Sequence, residues 1–546
     1  MNTILKNLKE ELNNIFAKFD IDERVQISIS KVTDFDIQIN NLVKYKNHKS
    51  IEEIKNHILK ELNKTGYFSS VELSDKLFIN LKFNLINLAK NINNSKKEFA
   101  VNKSEKLIFD YGGPNIGKPL HVGHLRSLNI GRSLYSMNKF IGNEVKSDIH
   151  LGDWGMPIAQ IITYIEKNNL DIQTLKVSDL ESIYPLSSKE YLNDEKFQEK
   201  AKEVNKKLNT NDEETIAKWK IIKNLSLIEI KKNLSELGHN FDYWFGESDV
   251  NSLIPDMLKS LIEEDKVEYD ESALVSKENV EPKVLITKSD GSYLYITTDL
   301  ATIIYREKHI SFDKIFYVVD SRQSLHFKQL FSSAKYFEFK NLNFEHIGFG
   351  TLNDENGNPF KTREGGTKPL IELFNETYKY IYKINQNLED KTIKQLANTV
   401  LTYSDLLTNR KTNYKFDLKK FTNISGKTGI YIQYAQVRAT NLFQTANNNN
   451  SLELYEKIGK IESQLLSKIF LFGYYLERSV EMSEPHHLAD YLYELSNLFN
   501  IFYEDEKILN IEDEKIKNSK LYITKLFIET CHNVMFCLGI EPVNKM

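Results

Sequence analysis

KLIFDYGGPNIGKPLHVGHLRSLNIGRSLYSMNKF, residues 106–140, decides the fold. KLIFDY is a short apolar strand. It runs into a Gly/Pro-rich loop, and the loop runs into a long helix. A strand–loop–helix junction of this kind opens a parallel sheet that holds its ligand at the strand's carboxyl end. VKSDIH (145–150), KIFYVV (314–319) and FEHIGFG (344–350) supply further strands. Between about 165 and 285 the chain is charged and mostly helical, as in EKFQEKAKEVNKKL (195–208), and reads as an insertion into the α/β pattern.

On the N-terminal side, an amphipathic helix over Ile4–Phe19 precedes two short alternating strands, VQISIS (25–30) and FDIQIN (35–40). A second helix, SIEEIKNHILKEL (50–62), leads to YFSSVEL (67–73) and KLFINLKF (76–83). Helices interleaved with alternating strands predict a small α+β domain. After about residue 375, segments such as QLANTVLTYSDLL (395–407) and SQLLSKIFLFGYYLERSVEM (463–482) carry apolar residues at three- and four-residue spacing, which predicts a helical bundle.

The 546 residues exceed a single core, and about three or four domains are expected. Hydrophobic and charged fractions of 41% and 27% are ordinary for a globular protein. No run of about 18 apolar residues predicts a membrane span. The first residues read as an amphipathic helix rather than a signal peptide. Both cysteines, Cys531 and Cys537, fall in an apolar stretch, so buried thiols in a reducing cytoplasm are expected, and no Cys/His cluster suggests a metal bound by the protein. The formal net charge of −4 does not advertise a polyanion partner, yet a local basic surface is all that nucleic acid needs.

The strongest local signal is His121-Val122-Gly123-His124 at the start of the helix. A helix N-terminus offers unpaired N–H groups and partial positive charge. Two imidazoles three residues apart lie on one face of its first turn and can donate to triphosphate oxygens as charge builds on a leaving pyrophosphate. Gly123 leaves room for a nucleotide ring. Standing alone, the same tetrapeptide fits a metal pair or two unrelated surface histidines about equally well.

The longer stretch from Asp110 to Ser127 resembles the signature of arginyl-tRNA synthetases, a class I family. Its general form there is (D/E)-(F/Y)-S-S-P-N-x-x-K-x-x-H-x-G-H-x-R-S. Gly112 and Gly113 stand where serines are common. Further blocks resemble the family in order: HLGDWG (150–155), FDYWFGES (241–248), SDGSYLYITTDLATIIYR (289–306), DSRQSLHFKQLF (320–331), TGIYIQYAQVRATNL (428–442) and the terminal CLGIEPVNKM (537–546). The resemblance covers nearly the whole chain.

It implies a class I Rossmann-like α/β parallel-sheet catalytic domain over 106–375 with the helical insertion, an N-terminal α+β domain over 1–105 that contacts tRNA, and a C-terminal all-α bundle over 376–546 that binds the anticodon. Asp110 and Asn115 are expected to hold the head group of L-arginine, with His121 nearby; Tyr295, Asp299 and Gln323 are expected to hold its side chain. A carboxylate is what a guanidinium needs for a forked, charge-assisted hydrogen bond. His121, Gly123, His124 and Lys118 are expected at ATP, which enters with Mg2+. The second class I signature is degenerate, and its candidate is Asn358-Pro-Phe-Lys361-Thr-Arg363, with Lys361 and Arg363 as phosphate clamps. Lys118 is expected to supply part of the missing charge. Tyr431, Gln433, Tyr434 and Arg438 are expected at the anticodon, where aromatics stack on unpaired bases, although core packing at helical spacing explains the same pattern. Phe78 and Asn80 are expected at the tRNA elbow. The implied reaction makes arginyl-adenylate, with arginine tRNA needed for that step, and then esterifies the 2′-hydroxyl of the terminal adenosine. A cytoplasmic monomer is expected. A synthetase for cysteine or glutamate is the rival within the class, and a tRNA-binding protein without catalysis is the rival outside it. The Tyr295/Asp299 pair argues against the first, and the intact HVGH against the second.

Overall fold

A computed structural model describes residues 2–19, 25–91, 104–277, 284–289, 291–339, 343–358, 360, 368–446 and 452–546. The chain divides into two compact units, one of Met1–Asn102, Phe140–Gly142 and Asn423–Met546, the other of Lys103–Lys139 and Asn143–Thr422.

In the first unit, β1 (Ile27–Ile29), β2 (Ile37–Ile39), β3 (Phe68–Leu73) and β4 (Ile79–Phe83) form an antiparallel sheet in the order β1-β2-β4-β3. The Asn2–Ala17 and Ile51–Lys64 helices turn Leu8, Leu12, Ile15, Ile54, Ile58 and Leu62 into its core. The remainder of this unit is the bundle of Gly429–Ala446, Lys460–Phe470, Phe472–Glu481, His486–Asp505 and Glu514–Leu538. The two ends of the sequence therefore pack as one body. Lys9 pairs with Glu477 at 2.6 Å, and the Tyr522 hydroxyl donates to the Ala89 carbonyl at 3.0 Å. Both cysteines are buried and free.

The second unit is built on β5 (Lys106–Tyr111), β6 (Glu144–Asp148), β10 (Lys314–Val318) and β11 (Asn343–His346), all parallel, in the order β11-β10-β5-β6. From β5 the chain steps to β6 on one side and later returns to β10 on the other. The gap between the carboxyl ends of β5 and β10 is thus a topological switch point, where open α/β sheets bind ligands. Ser127, on the His124–Phe140 helix, closes that gap at its base: its hydroxyl donates to the Val318 carbonyl at 2.7 Å and accepts from the Gly112 N–H at 2.8 Å.

The insertion carries the Val177–Asn193, Glu195–Asn209 and Glu213–Glu236 helices, as its composition predicts. It also ends in an antiparallel sheet of β7 (Val267–Asp270), β8 (Ala273–Ser276) and β9 (Leu285–Thr287), which the helical reading of that interval did not include. The Leu370–Ile384 and Asp390–Leu406 helices, whose periodicity resembles that of the C-terminal bundle, lie in the second unit. The latter buries Ile393, Leu396, Val400, Leu401 and Leu406, and polar contacts add to that packing. Arg126 and Asp405, 1% and 0% exposed, pair at 2.9 Å, and Arg132 donates to Thr402 at 2.8 Å. Among the described residues no helix is long and apolar enough to cross a membrane.

Candidate active site

A cleft of about 850 Å³ opens at the carboxyl ends of β5 and β10. Asp110, Asn115, His121, Gly123, His124, Tyr295, Asp299 and Gln323 all line it, so the candidates for arginine and three of the six for ATP, dispersed over some 200 residues of sequence, meet in one place. The loop after β5 begins with Gly112 and Gly113 at φ 96° and 48°, a left-handed conformation that glycine adopts at no steric cost. A Cβ on Gly112 would also press on Leu128 and Ile149 at 3.1 and 3.2 Å.

The helix after the loop starts at His124, while His121 precedes it, held by a bridge to Pro369. The imidazoles therefore do not share a helical turn, contrary to what their spacing predicts. They come together because the chain folds back at Val122–Gly123, which leaves the ring centroids 4.0 Å apart. The Gly123 N–H donates to His121 Nδ1 at 3.1 Å, and the His121 N–H donates to His124 Nδ1 at 3.0 Å. His121 Nδ1 is thus an acceptor, so the neutral His121 ring carries its proton on Nε2; His124 Nδ1 stands 3.0 Å from the His121 N–H and 3.1 Å from the His121 carbonyl, and its role follows the tautomer. Burial, aided by Lys118, pushes the His121 pKa down to about 4. Burial and the neighbouring His121 push that of His124 down to about 3. The pair is neutral at physiological pH, and His121 presents an Nε2–H donor. A Cβ on Gly123 would meet the His121 ring at 2.8 Å, so this glycine makes room for its neighbour's imidazole.

Tyr295 opens the Tyr295–His309 helix, 77% exposed, and Asp299 stands one turn later. Asp299 Oδ2 lies 2.6 Å from His326 Nε2. Gln323 closes the short Ser321–Gln323 turn, which Asp320 caps by accepting the Arg322 N–H at 2.8 Å. Glu247 enters the same cleft from the insertion's FDYWFGES block. Burial, with Asp153 and Asp299 nearby, raises its pKa to about 8.

Asp110, at the end of β5, is not free. Arg306 Nη2 binds its Oδ2 at 2.6 Å and Asp148 Oδ2 at 2.6 Å, with Arg306 fully buried. One guanidinium between two carboxyls leaves a formal excess of one negative charge beside the cleft. Burial still pushes the Asp110 carboxyl up despite Arg306.

Glu247, Arg306 and His326 were within reach of the sequence, since each falls inside a block that resembles the family. Arg306 follows Asp299 by two helical turns, and His326 follows Gln323 by three residues, which puts each pair on one side of its helix. By contrast Asp153 of HLGDWG is spent on the scaffold. It is fully buried, accepts from Ser248 N and Oγ at 2.8 and 2.7 Å, and pairs with Lys223 at 2.5 Å.

Lys118 does not line this cleft. Its half-buried amine sits 5.6 Å from the Tyr184 ring centroid, beside a small void that also borders Glu181 and Glu229. Lys361 and Arg363 lie outside the described residues; Phe360, next to them, lines the cleft.

The tRNA candidates belong to the other unit and behave unequally. Gln433 is 0% exposed, and both ends of its amide are used: Nε2 donates to the Glu541 carbonyl at 2.7 Å and Oε1 accepts from Val543 N at 3.1 Å. It anchors the C-terminal tail and cannot reach a base. Asn80 is 7% exposed, and its Oδ1 accepts from Gln38 Nε2 at 2.9 Å. Phe78 is half-buried. Tyr431 bonds Asn497 at 3.1 Å and packs 5.5 Å from Tyr493. Tyr434 and Arg438 form a partly exposed cluster, the guanidinium 4.3 Å from the Tyr434 ring and 5.1 Å from that of Tyr503. Also in this unit, Glu484, His486 and His487 bring possible ligand atoms within 4.8 Å of one another. Arg478 donates to His487 Nε2 at 3.4 Å and opposes a cation there.

A parallel sheet with an imidazole pair at its switch point is the layout of a class I aminoacyl-tRNA synthetase, and a family model described as "tRNA synthetases class I (R), catalytic domain" matches residues 87–418. An arginyl-tRNA synthetase N-terminal domain model matches 2–83, and a DALR anticodon binding domain model matches 432–546. The arginine–tRNA ligase of Agathobacter rectalis is 34% identical over 600 aligned positions that span 100% of both chains, and that of Francisella tularensis subsp. novicida is 34% identical over 91% of this chain and 90% of its own. The crystal structure of arginyl-tRNA synthetase from Plasmodium falciparum superposes with a TM-score of 0.82 at 26% identity, covering 100% of this chain and 99% of that one. The Thermus thermophilus arginyl-tRNA synthetase shares the fold, with a TM-score of 0.83 at 17% identity over 99% and 100%. This chain belongs to the arginyl-tRNA synthetase family.

Proposed function

We propose that the protein is an arginine–tRNA ligase that activates L-arginine with ATP and passes the arginyl group to the 2′-hydroxyl of the terminal adenosine of arginine tRNA. What carries this reading is one cleft lined by both the imidazole pair and the carboxyl groups of Asp110, Glu247 and Asp299. His121 and His124, neutral and lining the cleft, are placed to meet the charge that develops on the leaving pyrophosphate. Preorganised donors of that kind stabilise the transition state more than the ground state. Asp299, with Tyr295, Gln323 and Glu247, takes the arginine side chain; Asn115 and the excess charge at Asp110 take the head group. The arginine carboxylate attacks the α-phosphorus and pyrophosphate departs; the tRNA hydroxyl then attacks the adenylate carbonyl and AMP departs. No covalent enzyme intermediate is needed, since positioning and charge stabilisation suffice.

Mg2+ arrives on the ATP polyphosphate, the usual arrangement for a cation that dehydrates reluctantly. Lys361 and Arg363 supply further positive charge to the polyphosphate, while Lys118, outside the cleft, acts only through the positive potential it exerts at His121. Tyr431, Tyr434, Arg438, Phe78 and Asn80 are the candidates for tRNA contact. The enzyme acts as a monomer in the cytoplasm, where tRNA charging supplies translation.

The test is aminoacylation of arginine tRNA with ATP and labelled arginine. Asp299→Asn should raise the arginine KM roughly 10- to 100-fold, the worth of a hydrogen bond to a charged group at about 1.5–3 kcal/mol, and leave the ATP KM near normal. Charging with an unchanged arginine requirement would remove Asp299 from the pocket.

A further inference from the structure

We propose that His326 is a positioning residue that fixes the guanidinium-binding carboxylate of Asp299, an inference that rests on the arginine-pocket reading above. His326 Nε2 meets Asp299 Oδ2 at 2.6 Å, with the two side chains 27% and 30% exposed. Among the described residues it is the one side chain hydrogen-bonded to Asp299. A carboxylate offers about four lone-pair sites on two oxygens. His326 takes one site on Oδ2 and leaves Oδ1 for a forked approach by a guanidinium.

The bond also joins the two helices that build the pocket. Asp299 stands on Tyr295–His309, and His326 on Ser324–Tyr336, directly after the turn that carries Gln323. The contact therefore ties the residue that reads the guanidinium to the helix that follows Gln323, the other residue assigned with it to the arginine side chain. The imidazole is itself held. Phe327 meets it edge-on at 5.4 Å and 81°, and Phe327 in turn stacks on His346 at 4.7 Å and packs 5.1 Å from Tyr317. The ring is locked, and it locks the carboxylate. Without it the Asp299 side chain becomes a free rotor that arginine must order on binding, an entropic cost that appears as lost affinity.

The experiment compares His326→Gln, His326→Asn and His326→Leu in the full chain, with Asp299→Asn as reference. Glutamine Nε2 is as many bonds from Cα as histidine Nε2 and can donate to Oδ2; asparagine falls one methylene short, and leucine cannot donate. The expected result is a rise in arginine KM on the order of tenfold for Leu and Asn, the lower end for a hydrogen bond to a charged group. Gln should stay within about threefold of the parent, and kcat and the ATP KM should hold within about twofold in all three, since a scaffold role would not split them this way. Should Leu unfold the chain, the Gln/Asn comparison decides alone. Equal arginine KM for Gln and Asn overturns the proposal. Tighter arginine binding in His326→Leu also overturns it, because His326 would then be a competitor for Asp299. If Asp299→Asn itself leaves the arginine KM unchanged, the pocket reading has failed; if Asp299→Asn is defective and His326→Leu is not, this proposal alone has failed.

Discussion

Arginine binding should expel a proton from Glu247. The group lies in the cleft with its pKa raised to about 8, first by burial and then by Asp153 and Asp299. At pH 7 it is therefore about ten parts protonated to one part ionised. A guanidinium brought to this pair of carboxyls selects the ionised form and returns the pKa toward the ordinary range. The sign follows: affinity is weakest where Glu247 is protonated and rises with pH until about 8. Relative to the high-pH limit, binding at pH 7 is weakened about elevenfold, or roughly 1.4 kcal/mol, and between pH 7 and 8 it should strengthen about fivefold. Titration calorimetry of the full chain with arginine, in two buffers of different ionisation enthalpy at pH 7, should report release of about 0.9 proton per arginine. Glu247→Gln should abolish both the release and the pH slope. A parent protein whose binding enthalpy is the same in both buffers would refute the reasoning, whatever its affinity.

Three further outcomes are expected. Replacing His121 or His124 with Ala should cut the turnover of adenylate formation by about two orders of magnitude, as loss of an oxyanion-type donor does, with little change in ATP KM. Because burial holds these rings near pKa 4 and 3, their donor role predicts no inflection from free-enzyme histidine ionisation in kcat/KM between pH 6 and 8. Along the Gly429–Ala446 helix, neighbours should separate cleanly: Arg438→Ala should weaken tRNA binding with little loss of melting temperature, while Gln433→Ala should do the reverse, leaving the Val543 N–H buried without an acceptor at about 1–3 kcal/mol. Filter binding and thermal melts on the same preparations check both.

The fold was largely legible because its periodicities are local. KLIFDY, KIFYVV and the loop between KLIFDY and HVGH announce a parallel sheet without any knowledge of what lies across from them. What sequence withholds is which side chains face each other. Asp110 was legible as an acid at a strand end, but its partner Arg306 lies 196 positions away, and nothing in either stretch states that they touch. Gln433 and Arg438 look equivalent on a helical wheel of polar and aromatic residues; only packing reveals that the tail at Glu541–Val543 covers one and not the other. The two-unit division was hidden for the same reason, since it depends on contacts between the chain's two ends. The β7–β9 sheet escaped notice because its strands are three or four residues long, too short for an alternating pattern to emerge from a charged interval.

Ser127 and Arg126 end the signature stretch that begins at Asp110, yet both are spent on the protein's own architecture. The serine hydroxyl serves the Gly112 N–H and the Val318 carbonyl at once, and Arg126 is tied to Asp405 and to the carbonyls of Gly350 and Thr412 at 2.8 and 2.7 Å. Only a residue that is donor and acceptor together can hold the first post, and only a fork of cationic donors the second. The motif is therefore two constraints written on adjacent letters, one imposed by phosphate chemistry and one by the joinery of strands and helices. A descendant that lost both histidines would remain obliged to keep the Arg-Ser pair in order to fold. In such a chain half the signature would survive as a fossil of construction, and the presence of those two letters alone would say nothing about catalysis.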